Sequence, residues 1–121
     1  MPNHTFDHLH LMSPDPFKTA EFYVKHFGAK QVNDPDPNGE RVTVNLDLNG
    51  TTMLISKAAG DAQTGLVHFG IQSDDLDKSI EELKAAGVEF TMEKREIRSD
   101  FIISFLLAPE NVPIELQSGG L

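Results

Sequence analysis

Apolar and polar residues alternate along several stretches of this chain, and the stretches come in two matching sets. Residues 6–12 place Leu9 and Leu11 on one side of an extended backbone and His8 and His10 on the other, as in a strand with one face toward a core. Ser13-Pro14-Asp15-Pro16 then offers capping side chains and a proline suited to a first helical turn. Ala20, Tyr23, Val24 and Phe27 recur at helical spacing before Gly28, which predicts a helix over 16–27. A short strand over 29–34 and an exposed turn from Asp34 to Gly39 follow. Val42, Val44, Leu46 and Leu48 alternate with polar residues, and Asn49-Gly50 is a hairpin turn into a strand at 51–57. The unit reads β-α-β-β-β.

After a small, polar linker from Ala58 to Thr64 the same order returns. Val67 to Gln72 is a strand, the stripe Leu76, Ile80 and Leu83 ends at Gly87, and Val88 to Met92 is a strand again. A continuous apolar run spans 101–107, Pro109-Glu110-Asn111 turns, and Ile114-Glu115-Leu116 closes the fold. Setting His8 under His68 aligns Ser13-Pro14-Asp15 with Ser73-Asp74-Asp75. A duplicated unit of about 60 residues implies two copies of one supersecondary element. The expectation is an α+β fold in a single domain, 1–121, made of modules 6–57 and 66–118. His4 reads as part of a tail, as do Gly119, Gly120 and Leu121, and Arg95, Arg98 and Ser99 read as a solvated loop before the seventh strand.

Composition narrows the chemistry. There is no cysteine, which excludes disulfides, thiolate metal sites and cysteine nucleophiles. A formal net charge of −9 argues against nucleic acid or an anionic membrane as partner, since both reward clustered Lys and Arg. No stretch is apolar enough for a membrane span and the first residues do not resemble a signal peptide, so a cytoplasmic protein is the default.

Strand parity then singles out a few polar residues. His8, His10 and His68 lie opposite the apolar faces of their strands, and Glu115, between Ile114 and Leu116, has the same parity. If these strands curve round a common cavity, two neutral imidazoles and a carboxylate form a workable set for a divalent metal. Phe101, Ile103, Phe105 and Leu107 share one face of their strand and Ile102, Ser104 and Leu106 the other, so a cavity bounded by it has an apolar wall either way.

The element order, Asp7-His8 followed by Pro14-Asp15, the histidine opening the second unit and the Ile114-Glu115-Leu116 ending together resemble the vicinal oxygen chelate superfamily over residues 6–117. That group includes glyoxalase I, methylmalonyl-CoA epimerase, extradiol dioxygenases, fosfomycin-resistance enzymes and bleomycin-binding proteins. The resemblance implies a glyoxalase-like fold, with a U-shaped, mostly antiparallel sheet around a cavity. It also implies a divalent metal (Fe, Mn, Zn or Ni) on His8, His68 and Glu115, Glu115 and His10 as acid/base groups, a small-molecule substrate, and a homodimer. A fourth ligand, usual in glyoxalase I and the epimerase, falls on Leu54, which cannot coordinate. The implied activity is a metal-dependent dioxygenase or a lyase/isomerase acting on adjacent oxygens. The alternative is a non-catalytic small-molecule-binding protein of the bleomycin-resistance kind with a degenerate metal site.

Overall fold

The computed structural model describes residues 1–120; the expectation for Leu121 lies outside the described residues. The strands and helices run β1 (His4–Ser13), α1 (Pro16–Phe27), β2 (Lys30–Gln31), β3 (Thr43–Leu48), β4 (Thr51–Lys57), β5 (Gly65–Ser73), α2 (Leu76–Ala85), β6 (Phe90–Arg98), β7 (Phe101–Ala108) and β8 (Val112–Gly119). The β-α-β-β-β order therefore occurs twice, as the sequence predicts. No helix among the described residues is long and apolar enough to cross a membrane.

The chain forms two compact units, one of His8–Val67 and one of Met1–Asp7 with the chain from His68 onward. In the first, β2 pairs antiparallel with β3, β3 antiparallel with β4, and β4 parallel with β1. In the second, β6 pairs antiparallel with β7, β7 antiparallel with β8, and β8 parallel with β5. The helix of each unit is what makes the parallel pair possible, since parallel neighbours need a long crossover.

The two helix entries are built alike. Ser13 Oγ accepts from Asp15 N–H and the Asp15 carboxylate accepts from Lys18 N–H; Ser73, Asp75 and Lys78 repeat both bonds. Each aspartate satisfies an amide that the first helical turn leaves unpaired. Helix α1 ends on Gly28, whose φ of 73° returns its amide to the Tyr23 and Val24 carbonyls.

Each core lies between a helix and one face of its strands. In the first unit Val44, Leu46, Met53 and Ile55 meet Ala20, with Leu9, Leu11, Phe17 and Tyr23 packed around them. In the second, Leu106, Ile114 and Leu116 meet Leu76, with Phe69, Ile71, Ile80 and Leu83 around them. Fully burying a side chain such as Ile55 or Leu116 contributes roughly 1.5–3 kcal/mol.

Several boundaries differ from expectation. The apolar stripe of α1 is rotated: Phe17, Ala20 and Tyr23 face the core, whereas Val24 and Phe27 are exposed. The strand expected over 29–34 covers only Lys30–Gln31; beyond it the Asn33 side chain bonds the Thr43 carbonyl and the Asn45 amide in place of the backbone. Strand β6 runs on through Arg95 to Arg98, so these arginines are not in a loop. Register shifts against β7 absorb its lack of alternation.

Both tails are tied down. His4 is in β1, and Asn3 exchanges backbone and side-chain hydrogen bonds with Asp74. Gly119 ends β8 with φ 77°, where a Cβ would sit 1.8 Å from the Asp100 carbonyl oxygen, and Gly120 N–H donates to that same carbonyl. Only glycine fits that approach.

Candidate metal centre

Residues directly opposite one another on paired strands point to the same face, so the pairing registers decide what the face turned away from each helix carries. In the second unit Gly70 lies opposite Glu115, Glu115 opposite Phe105, and Phe105 opposite Met92. The adjoining row contains Gln72, Gln117, Ile103 and Arg95. His68, two residues before Gly70, shares this face.

His68 and Glu115 come together there. His68 Nε2 is 3.6 Å from Glu115 Oε1, and Glu115 is 8% exposed. That separation is longer than a hydrogen bond. It is close to the edge of a tetrahedral site, where a nitrogen and an oxygen each about 2.0–2.2 Å from one ion stand roughly 3.4 Å apart. The Phe105 ring meets the His68 ring edge to face, with centroids 5.1 Å apart, and limits its rotation. Gly70, opposite the carboxylate, brings no side chain to this face. The donor set and its spacing therefore fit a divalent ion.

In the first unit the matched face carries His8, His10 and Met12 on β1, with Thr52, Leu54 and Ser56 opposite them in that order on β4. His8 is buried at 3% exposure, and its ring centroid is 6.0 Å from that of His10. His10 Nε2 is 2.8 Å from Ser56 Oγ, which is in turn 2.8 Å from Thr43 Oγ1, so the imidazole is oriented by a hydroxyl chain across three strands. Leu54 pairs with His10 as Glu115 pairs with Gly70, which fixes Leu54 as the counterpart of Glu115.

The apolar wall has a definite sense. Ile102 and Leu106 pack toward α2, and buried Ser104 on the same side donates to the Leu116 carbonyl, so Phe101, Ile103, Phe105 and Leu107 share the face of Glu115. Gln117, 2% exposed, and Gln72 were legible from strand parity, being two and four residues from Glu115 and His68, but the sequence reading passed over them. The buried pair Ser73 and Ser79, whose hydroxyls are 2.6 Å apart with His4 Nε2 2.9 Å from Ser79 Oγ, had no sequence signal beyond the helix cap.

Comparison with known proteins bears on the family and the fold. The family model of the Glyoxalase/Bleomycin resistance protein/Dioxygenase superfamily matches residues 5–116. Lactoylglutathione lyase GLX1 of Arabidopsis thaliana is 26% identical over 133 residues, covering 98% of this chain and 45% of that protein, so the chain spans less than half its length. Among solved structures, a hypothetical protein from Bacillus halodurans superposes with a TM-score of 0.79 at 17% identity, covering 98% of this chain and 96% of that one. Methylmalonyl-CoA epimerase from Mycobacterium tuberculosis gives 0.73 at 19% identity, covering 96% and 88%. A Mn(II)-bound glyoxalase from Novosphingobium aromaticivorans gives 0.68 at 18%, covering 94% and 37%. These likenesses show a shared fold.

Proposed function

The chain belongs to the Glyoxalase/Bleomycin resistance protein/Dioxygenase superfamily, and from that premise we propose that it is a metal-dependent lyase or isomerase acting on a small, partly apolar substrate. His8, His68 and Glu115 hold the divalent ion in this reading. The observation that carries it is the 3.6 Å separation of His68 Nε2 and Glu115 Oε1, two largely buried side chains close enough to share one ion.

A divalent ion held there supplies Lewis acidity to two adjacent oxygens of the substrate. The protein's own residues do the rest. Phe105 and Ile103, which share the Glu115 face, favour an apolar substrate body and exclude water from it. His10, oriented by Ser56, is the group we assign to carry a proton, because a hydrogen bond at one ring nitrogen sets the tautomer at the other. Names among the similar proteins, a lactoylglutathione lyase and methylmalonyl-CoA epimerases, support lyase or isomerase chemistry over the dioxygenase alternative.

Elemental analysis of the purified protein beside a Glu115→Ala variant tests this. The expected result is about one transition metal per chain in the parent and a large loss in the variant, with metal addition raising the melting temperature of the parent alone. A parent that retains no metal and whose melting temperature ignores added Mn(II), Zn(II), Ni(II) and Fe(II) would overturn the proposal. The non-catalytic binding protein would then be the better reading.

A further inference from the structure

Gln117 is buried to 2% exposure on the Glu115 face, and its amide is only half used. Nε2 donates to the Gly119 carbonyl at 3.2 Å, while Oε1 is buried with no hydrogen-bond partner. The neighbouring amide does not supply one. In its hydrogen-bonding orientation Gln72, opposite Gln117, turns both its amide atoms to the Gly119 backbone, accepting from the N–H at 2.7 Å and donating to the carbonyl at 3.2 Å. On the other side Gln117 faces Ile103, whose side chain has no polar atom to offer. A buried acceptor left unsatisfied costs roughly 1–3 kcal/mol, so such a group calls for a donor.

The geometry points to Gln117 Oε1 as a substrate-binding acceptor that selects ligands carrying a hydroxyl or amide N–H at a set distance from their metal-chelating oxygens. The inference rests on the metal reading above, since it takes Glu115 as one end of the ruler. Residues i and i+2 of a strand share a face about 6.6–6.8 Å apart, and Glu and Gln side chains have equal length, so the donor belongs about 6–7 Å from the chelated end. Between them the ligand lies over Phe105 and Ile103, which asks for an apolar spacer. The substrate class is thus a chelating head, a spacer of about four carbons set by that strand spacing, and a neutral donor. Gln117 acts here as a specificity-determining residue that takes no part in the chemistry.

Two hydroxamates serve as probes, because a hydroxamate chelates a divalent ion through adjacent oxygens. 5-Hydroxypentanohydroxamate carries the donor, and hexanohydroxamate has a methyl group in its place. Calorimetric titration of the Mn(II)-loaded protein is expected to show the hydroxyl probe binding about tenfold more tightly, as one satisfied buried acceptor predicts. In Gln117→Leu that preference is expected to vanish, with Mn(II) content and melting temperature close to those of the parent, since the leucine buries no unpaired oxygen. Equal affinity of the parent for the two probes, or failure of both to bind a protein that retains Mn(II), would overturn the inference and assign Oε1 to a buried water. Failure to retain Mn(II) at all is the separate result that overturns the metal reading, and this inference falls with it.

Discussion

At matched positions the two modules have exchanged their contents: the second sets Gly70 opposite Glu115 where the first sets His10 opposite Leu54. Topology, helix N-caps and core faces are otherwise repeated, down to the serine that accepts from the capping aspartate's amide. The difference lies on the face that neither helix covers. In the second module it carries one histidine, a carboxylate, two glutamines and an apolar strand. In the first it carries two histidines and short hydroxyl side chains. The core faces are held alike by packing, so one backbone plan can carry different chemistry on the uncovered face of each copy without losing its fold.

The sharpest way to break this comparison is to truncate its two counterparts. Glu115→Ala is expected to weaken metal binding at least about a hundredfold, more than the loss that follows from disturbing a ligand's outer support. Leu54→Ala should leave metal content unchanged while lowering stability. Equal metal loss in both variants, read by elemental analysis, would mean that the modules contribute alike.

Next in size is the contrast between the hydroxyl pairs beneath the helices. Ser79→Ala leaves the buried Ser73 hydroxyl with the Asp75 amide alone and removes the His4 contact, at an expected cost of about 1–3 kcal/mol. Thr19→Ala breaks the part-buried Ser13–Thr19 pair, where water can substitute, and should cost less. Thermal denaturation of the two variants reads the order directly; a larger loss from Thr19→Ala would show that burial does not rank them.

The hairpin turns offer a third contrast. Asn49-Gly50 joins β3 to β4 with residues suited to positive φ, whereas Glu110 between β7 and β8 holds a φ of 66° with a side chain that resists it. Glu110→Gly is expected to stabilise the protein by roughly 0.5–1 kcal/mol, the relief of left-handed strain less the entropy of an added glycine. A melting temperature that falls would mean the Glu110 side chain contributes more than its strain.

The smallest effect concerns the N-terminal tie, found at the second module alone. Hydrogen bonds from the Asn3 backbone amide and then its side chain hold the exposed Asp74 carboxyl below its usual value. A depressed folded-state value means the tie contributes above the unfolded carboxyl's pKa and is lost as pH falls through the folded one. An Asn3→Ala variant should return Asp74 toward the ordinary carboxylate range in an NMR titration, and an unchanged titration would place the cause elsewhere.

Much of the architecture was legible because it depends on short periods. Alternation fixed the inward faces of β1, β3 and β8, and Asp15 and Asp75 announced both helices. The Glu115 parity, and with it the candidate ligand, followed from its two apolar neighbours. Where the signal was non-local, the sequence misled: Val24 and Phe27 fit a helical stripe but had no core to meet, and Arg95 to Arg98 looked like a loop because β6 pairs without alternating.

The chain by itself therefore determined the repeat, the element order, the core faces and the side of each strand on which His8, His68 and Glu115 project, since all of these follow from periods of two and 3.6 residues. Only the tertiary structure decided the partner across each strand. It set Gly70 beside Glu115, brought His68 within 3.6 Å of it, identified Leu54 as the counterpart, and left Gln117 Oε1 buried beside Ile103. Register and burial arise from long-range pairing, and no local pattern of residues encodes which strand will lie alongside.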